Sequence, residues 1–477
     1  MAESYRSEVL IIGSGPGGAV TAWTLAASGK EVILIEEGPH LDLNSCKPFS
    51  IEEMCQKYRA GGLTLAMGAP KIPFVEGCCV GGGSEINSGL YHRTPPEMLA
   101  VWRQRYQVKH LESADLLPHF EACEKALSVQ LNPGAAPTAA LKIKAGADRL
   151  GWKSMEVPRW FKYESGRGAD GRMAGTRQSM TETLIPQALS SSCRLIPGIR
   201  ARRLTRENGR WRVIAERGET PVTLDADAVF VCGGAIQTPA LLRRSGISGN
   251  IGNSLALHPT VKVAAVFDDE VGGDPPEVGA QQVKEFSPEI SMGCSISSLP
   301  YIALAMTDHP DAKVDVGRQW RRMAMYYAMI TGPTWGRIRN VPFSAAPIVR
   351  YRLAAAHLRS LATALRHLCR LMFAAGATHV YPGVRGLSAL RGEDELSRIP
   401  AELSRRGTNL MTIHAFSSCP MGEARESCAV DSFGQVHGYR SLFVNDASIL
   451  CTAPGVNPQG SVMALARRNA LHFLGAL

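Results

Sequence analysis

A chain of 477 residues is longer than one ordinary core and predicts two or three domains. With 45 % hydrophobic and 20 % charged residues, disordered and fibrous classes are excluded. The excess of 52 Lys and Arg over 43 Asp and Glu gives a net charge of +9, but the basic residues are scattered rather than blocked, which argues against nucleic-acid binding.

The first apolar strand begins close to Glu8, leaving no room for a secretory signal ahead of it, and no apolar run reaches the ~20 residues of a spanning helix. The expectation is a soluble, cytoplasmic protein with no stable membrane insertion. Twelve cysteines form no CxxC pair and no zinc-type spacing, which predicts reduced thiols and no metal site.

In chain order, "EVLIIGSGPGGAVTAWTLAASGKEVILIEEGPH" predicts strand, glycine turn, helix, strand. Val9 to Ile12 form the first strand, Thr21 to Ala27 carry helix formers, and Glu31 to Ile35 form the second strand. Gly13, Gly15 and Gly18 make GxGxxG at the strand-to-helix turn. They allow the tight turn, close approach of a pyrophosphate and close helix packing. The phosphates would meet free N–H groups at the helix N-terminus. Glu36 ends the second strand, where a carboxylate accepts from ribose hydroxyls. This is a dinucleotide site.

A second glycine cluster, "GCCVGGGSEINSGLYHRTP" at 77–95, follows. Two separate backbone approaches suit a long, extended cofactor such as FAD better than NAD; the plain alternative is a glycine-rich loop. Further on, "EISMGCSISS" places Ile290, Met292, Cys294 and Ile296 on one strand face, and "MAMYYAMI" does so for Met323, Met325, Tyr327 and Met329. Such a face either packs a sheet core or lines a pocket for a bulky apolar substrate. "HLRSLATALRHLCRLMFAAGA" spaces Leu358, Leu361, Leu365, Leu368 and Met372 as the buried stripe of a sheet-covering helix.

Near the C-terminus, His414 stands in a small polar setting and Asn457 precedes Pro458. Taken alone, the first is an ordinary polar-segment histidine and the second a turn former. "PQGSVMALARRNALHFL" then reads as a helix whose entry turn presents Asn457.

Together, the first motif, "GGGSEIN", "VCGGAIQTPALLRRSGI" at 231–247, "GNSLALHP" at 252–259 and the C-terminal stretch resemble the glucose-methanol-choline (GMC) flavoprotein oxidoreductases. The resemblance implies an α/β fold, α+β overall: a Rossmann-type FAD-binding domain plus a substrate domain on a largely antiparallel sheet covered by helices. The expected division is 1–95, 172–260 and 405–477 for FAD, with 96–171 and 261–404 for substrate.

It also implies cofactor contacts at Gly13, Gly15, Gly17, Gly18, Glu36, Gly82, Gly83, Ser84, Asn87, Asp446 and Pro458. Some relatives attach FAD through a histidine one place before this asparagine; Ile86 stands there, so FAD would be non-covalent. His414 matches the active-site histidine and Asn457 a position held by His or Asn. The expected reaction is oxidation of an alcohol to a carbonyl, with His414 as base, Asn457 positioning the oxygen, and O2 or another electron acceptor restoring the flavin.

The pattern resembles cholesterol and long-chain alcohol oxidases more than sugar oxidases, which points to a bulky or apolar alcohol, a biosynthetic intermediate among the options. A flavin-dependent lyase or photodecarboxylase is the alternative. Ser417 and Pro420 depart from the family pattern, which commonly has Gly and Arg there. His258 is a rival base in a segment that the resemblance makes structural.

Overall fold

The computed structural model describes residues 3–166, 168, 171–272, 278–310, 312 and 316–476. In chain order, the elements that position the site are strand β1 (Glu3–Ile12), helix α1 (Pro16–Ala27), β2 (Val32–Ile35), β3 (Ser154–Glu156), β4 (Cys193–Ile196), β5 (Arg200–Glu207), β6 (Arg210–Arg217) and β7 (Thr220–Val231). After these come α2 (Gly234–Arg244), β8 (Thr260–Val266), β9 (Gln281–Val283), β10 (Ile290–Cys294), α3 (Leu299–Met306) and β11 (Met323–Ile330). The chain ends with α4 (Ala355–Ala374), β12 (His379–Pro382), β13 (Leu442–Val444) and α5 (Gln459–Phe473).

The first sheet runs β5–β6–β7–β1–β2–β4, with β13 also paired to β7. Its centre is parallel: β1 lies between β7 and β2, and β13 pairs with Val229–Val231 of β7, beyond the stretch that β6 occupies. A central parallel strand is covered on both faces, which is why Val9 to Ile12 are apolar without alternation and all buried. Gly13, at φ +101°, turns the chain from β1 into α1; a Cβ there would sit 2.4 Å from the Cys232 carbonyl oxygen. Pro16 takes the first turn of α1, where its missing N–H costs nothing.

The second sheet runs β12–β8–β11–β10–β9–β3 and is antiparallel throughout. Alternation along β11 divides it cleanly. Ala324, Tyr326, Ala328 and Ile330 join the core under α4, whereas Met325, Tyr327 and Met329 face a cavity. The α4 stripe predicted from spacing, Leu358, Leu361, Leu365, Leu368 and Met372, is wholly buried in that core. Burying each such side chain stabilises the fold by roughly 1.5–3 kcal/mol. The pocket reading holds only in part: Cys294 of β10 and Ile296 just beyond it reach the cavity, whereas Ile290 and Met292 pack in the core and Met323 of β11 packs with Ile302 and Met306 of α3.

The segment 96–171 is divided between the two sheets rather than grouped with the second. Helices Pro96–Tyr106 and Ser113–Ala126 bury Leu99, Trp102, Leu116 and Phe120 in the core of the first sheet, while β3 joins β9 of the second. Both helices turn their apolar stripes towards the core that α1 and α5 share. Among the described residues no helix is long and apolar enough to cross a membrane, no two cysteines form a disulfide, and no cluster could hold a metal ion.

Candidate active site and cofactor cavity

One cavity of about 660 Å³ extends from Glu36 and Arg200 at the edge of the first sheet, past both glycine loops, to His414 and Asn457 beside the second sheet. That volume falls within the usual range for cofactor and ligand sites. Gly13, Gly15, Gly17, Glu36, Gly82, Gly83, Asn87, Asp446 and Pro458 line it together.

At its first end the Glu36 carboxylate accepts hydrogen bonds from the Ser14 N–H (3.0 Å), the Ser14 hydroxyl (2.8 Å) and the Gly38 N–H (3.0 Å). Burial raises its pKa against the pull of those three bonds. Ser14 Oγ also accepts from the Gly81 N–H at 3.1 Å, so one serine ties the two glycine loops together. A Cβ on Gly82 would press to 2.9 Å from Gly15 Cα. By contrast, a Cβ on Gly83 would meet nothing within 4 Å, and one on Gly15 would meet only Gly82 Cα, at 4.0 Å. These loops pack closely against each other and leave bare backbone towards the cavity, the arrangement that an extended pyrophosphate requires.

Two predicted contacts act differently. Gly18 does not line the cavity; a Cβ there would lie 1.9 Å from the Gly13 carbonyl oxygen, so its absence lets α1 pack on the turn. Ser84 is fully buried behind the wall, where its hydroxyl donates to the Gly81 carbonyl (2.8 Å) and accepts from the Met180 N–H (3.0 Å). Asp446 lines the cavity, but its carboxylate is occupied: one oxygen accepts from Gly234 N–H and Thr238 Oγ, the other from Ser448 N–H and Oγ. It braces the turn into α2.

At the second end the short pairing of Ala256–Leu257 with Ala415–Phe416 brings His258 beside His414, 156 residues away in sequence. Their Nδ1 atoms lie 3.0 Å apart with the rings nearly perpendicular. Burial pushes the His414 pKa down to about 4 and that of His258 well below its ordinary value, so both rings are neutral at pH 7. Two neutral imidazoles that meet through Nδ1 share one hydrogen. With that hydrogen on His414, its Nε2 lone pair is free to accept, and Asn457 Nδ2 stands 3.3 Å from it.

Asn457 is itself held: Gln282 Nε2 on β9 donates to its Oδ1 (3.2 Å) and to the Tyr327 hydroxyl (3.0 Å). Asn87, from the second glycine loop, donates to Gln459 at 2.6 Å and so meets the start of α5. Alternation along β11 marks Tyr327 in the sequence as a pocket-facing residue, but no local motif marks Gln282 or Arg177, whose guanidinium grips the carbonyls of Glu85 and Asn87.

Residues 54–260 and 338–466 match the GMC oxidoreductase family, and residues 11–45 match an NAD(P)-binding Rossmann-like domain. An uncharacterized GMC-type oxidoreductase of Sinorhizobium fredii is 38% identical over 98% of this chain and 94% of its own length. The chain is a GMC oxidoreductase.

A long-chain-alcohol oxidase of Arabidopsis thaliana is 27% identical to this GMC oxidoreductase over 99% of the chain and 69% of the plant protein. The fold is shared with pyridoxine 4-oxidase from Mesorbium loti, at a TM-score of 0.76 and 19% identity, over 98% of this chain and 99% of that one. GMC oxidoreductases are FAD-binding flavoproteins, and FAD is the cofactor of this chain. The cavity fits it: Glu36, the two bare glycine loops and the histidine–asparagine pair lie along one continuous space in the order adenosine, pyrophosphate and flavin would need.

Proposed function

We propose that this GMC oxidoreductase oxidises the CH–OH group of an apolar alcohol to a carbonyl. The observation that carries the reading is the 3.3 Å approach of Asn457 Nδ2 to His414 Nε2 inside the cofactor cavity. FAD, when bound, supplies the two-electron acceptor, taking hydride at flavin N5. His414 Nε2 takes the hydroxyl proton, a role worth roughly 10²–10⁴-fold in rate. Asn457 donates its amide hydrogen to the substrate oxygen as negative charge develops there. His258 holds the His414 tautomer, and Gln282 fixes the amide of Asn457.

Gly13, Gly15, Gly17, Glu36, Gly82, Gly83, Asn87 and Pro458 are proposed to border FAD, with the first sheet forming its domain and the second the substrate side. Met325 and Met329 on the cavity wall, and the likeness to long-chain-alcohol oxidases, support an apolar substrate body. With Ile86 before Asn87, FAD is proposed to be non-covalent.

Anaerobic flavin reduction by an oxidisable alcohol tests the roles. His414→Ala should slow reduction by at least a hundredfold with FAD content unchanged, and Asn457→Ala by a smaller factor. Undiminished reduction in His414→Ala would remove the base from this reading. Acid precipitation should release all the FAD into solution; flavin retained in the pellet would contradict non-covalent binding.

A further inference from the structure

The substrate side of the cavity carries a cation that the fold leaves unmatched. On β8, alternation turns Thr260, Lys262 and Ala264 to the cavity, and Lys262 stands directly across from Tyr327 on β11. Among the described residues its ammonium makes no hydrogen bond and no ion pair.

Each carboxylate lining the cavity already has a partner. Glu36 is held by Ser14 and Gly38, Glu37 and Glu76 by Arg59, Asp446 by Gly234 and Thr238, and Asp308 by the amide of Asn409. The cavity's arginines are likewise engaged, Arg59 and Arg200 with Glu37 and Arg244 with the Arg202 carbonyl. Lys262 alone among these charges has no partner.

An unpaired ammonium in an apolar wall is costly, and burial lowers the Lys262 pKa to about 8, which still leaves it charged at pH 7. Its neighbours across the sheet, Tyr327 directly opposite and Met325 and Met329 at the adjoining same-face positions of β11, carry no charge that could neutralise it. The missing charge therefore arrives with a ligand, one that matches an apolar wall along its length and a cation at one point.

Spacing limits its size. Lys262 lies four residues beyond His258, whose Nδ1 is 3.0 Å from His414 Nδ1, and four residues span at most about 14 Å. A chain of medium length can reach from one group to the other.

We propose that the substrate is a hydroxy carboxylic acid with an apolar body, whose carboxylate is held by Lys262 while its hydroxyl lies at His414 and Asn457. The hydroxyl end rests on the reading given under Proposed function; the carboxylate end does not.

The test uses the FAD-loaded protein and an unreactive probe, decanoate, with decanamide, which carries no CH–OH group, as its uncharged counterpart, titrated by flavin absorbance and by thermal shift. Decanoate should bind at least tenfold more weakly to Lys262→Met, as expected when a charge-assisted hydrogen bond is lost, while Lys262→Arg retains most of the affinity. Decanamide affinity should move far less. In the wild type, needing no variant, decanoate affinity should fall as pH rises beyond about 8.

Equal decanoate affinity in wild type and Lys262→Met, or an affinity flat from neutral to strongly alkaline pH, would overturn the proposal. So would a Lys262→Met variant that binds decanoate normally but whose reduced flavin loses reactivity with oxygen. Because decanoate is not oxidised, its binding stands or falls separately from alcohol oxidation. Failure of every alcohol to reduce the flavin would sink the proposed reaction without touching this result.

Discussion

Ser417 occupies a left-handed backbone conformation, φ +66°, with its side chain fully buried and its hydroxyl unpartnered among the described residues. A residue with a Cβ pays roughly 1–2 kcal/mol for that conformation, and the buried hydroxyl adds its own desolvation cost. Glycine would remove both, offset by about 0.4–1 kcal/mol of extra freedom in the unfolded chain. Ser417→Gly should therefore stabilise the protein by about 1 kcal/mol, read by chemical denaturation. The departure from the family's usual glycine was legible in the sequence, whereas the unpartnered hydroxyl needed the structure.

His414 gives a second prediction at this scale. Its pKa of about 4 lies below the unfolded value near 6.5, because burial beside neutral His258 and Asn457 disfavours the imidazolium. The ring, the proposed base, is then unprotonated throughout the neutral range. Flavin reduction by alcohol should be flat through pH 6.5 and fall only as pH approaches 4; a midpoint near 6.5 in that rate would contradict the assigned environment.

Among elements, the two glycine loops separate folding from cofactor binding. A Cβ on Gly17 would lie 2.0 Å from the Asn445 carbonyl oxygen, a backbone atom that cannot swing aside. Gly17→Ala should lose about 1–3 kcal/mol of stability by overpacking. Gly83 has an ordinary φ and open space in front of it, so Gly83→Ala should unfold like the wild type yet bind FAD more weakly, measured by the flavin retained on gel filtration. Equal FAD retention would place the pyrophosphate elsewhere.

Elements with strong local patterns were also the ones the sequence made legible. The β1–α1–β2 unit, the α4 stripe and the helix after Asn457 follow from apolar period and glycine placement. The helices between Pro96 and Ala126 show a local apolar stripe but not its destination, the core of the first sheet. Destination depends on long-range packing, which a short apolar period does not encode.

At the scale of the whole molecule, the active-site end is assembled from distant pieces. His258 reaches His414 only through the pairing of Ala256–Leu257 with Ala415–Phe416, and Asn457 meets Gln282 from the other sheet. His414 and Asn457 could be named from the family pattern, but Gln282, which holds Asn457, could not, because no spacing in the chain ties β9 to the turn before α5.

Collecting buried neutral histidines also has a global cost in acid. His92, His119, His258 and His414 all have pKa values lowered by burial, to about 4 for His119 and His414. The unfolded chain takes up protons that the folded one refuses, so stability is full above about pH 6.5 and falls as pH drops from there towards 4. Denaturation midpoints at pH 7.5 and 5 should differ in that direction.

The central claim is that alcohol oxidation occurs where His414 and Asn457 meet the flavin. The most direct measurement is the visible spectrum of the purified, FAD-loaded protein, followed without oxygen while apolar, sugar and small polar alcohols are added in turn. Apolar alcohols should bleach the flavin band, and His414→Ala should slow that bleaching at least a hundredfold. A flavin band that no alcohol bleaches in the wild type would contradict it.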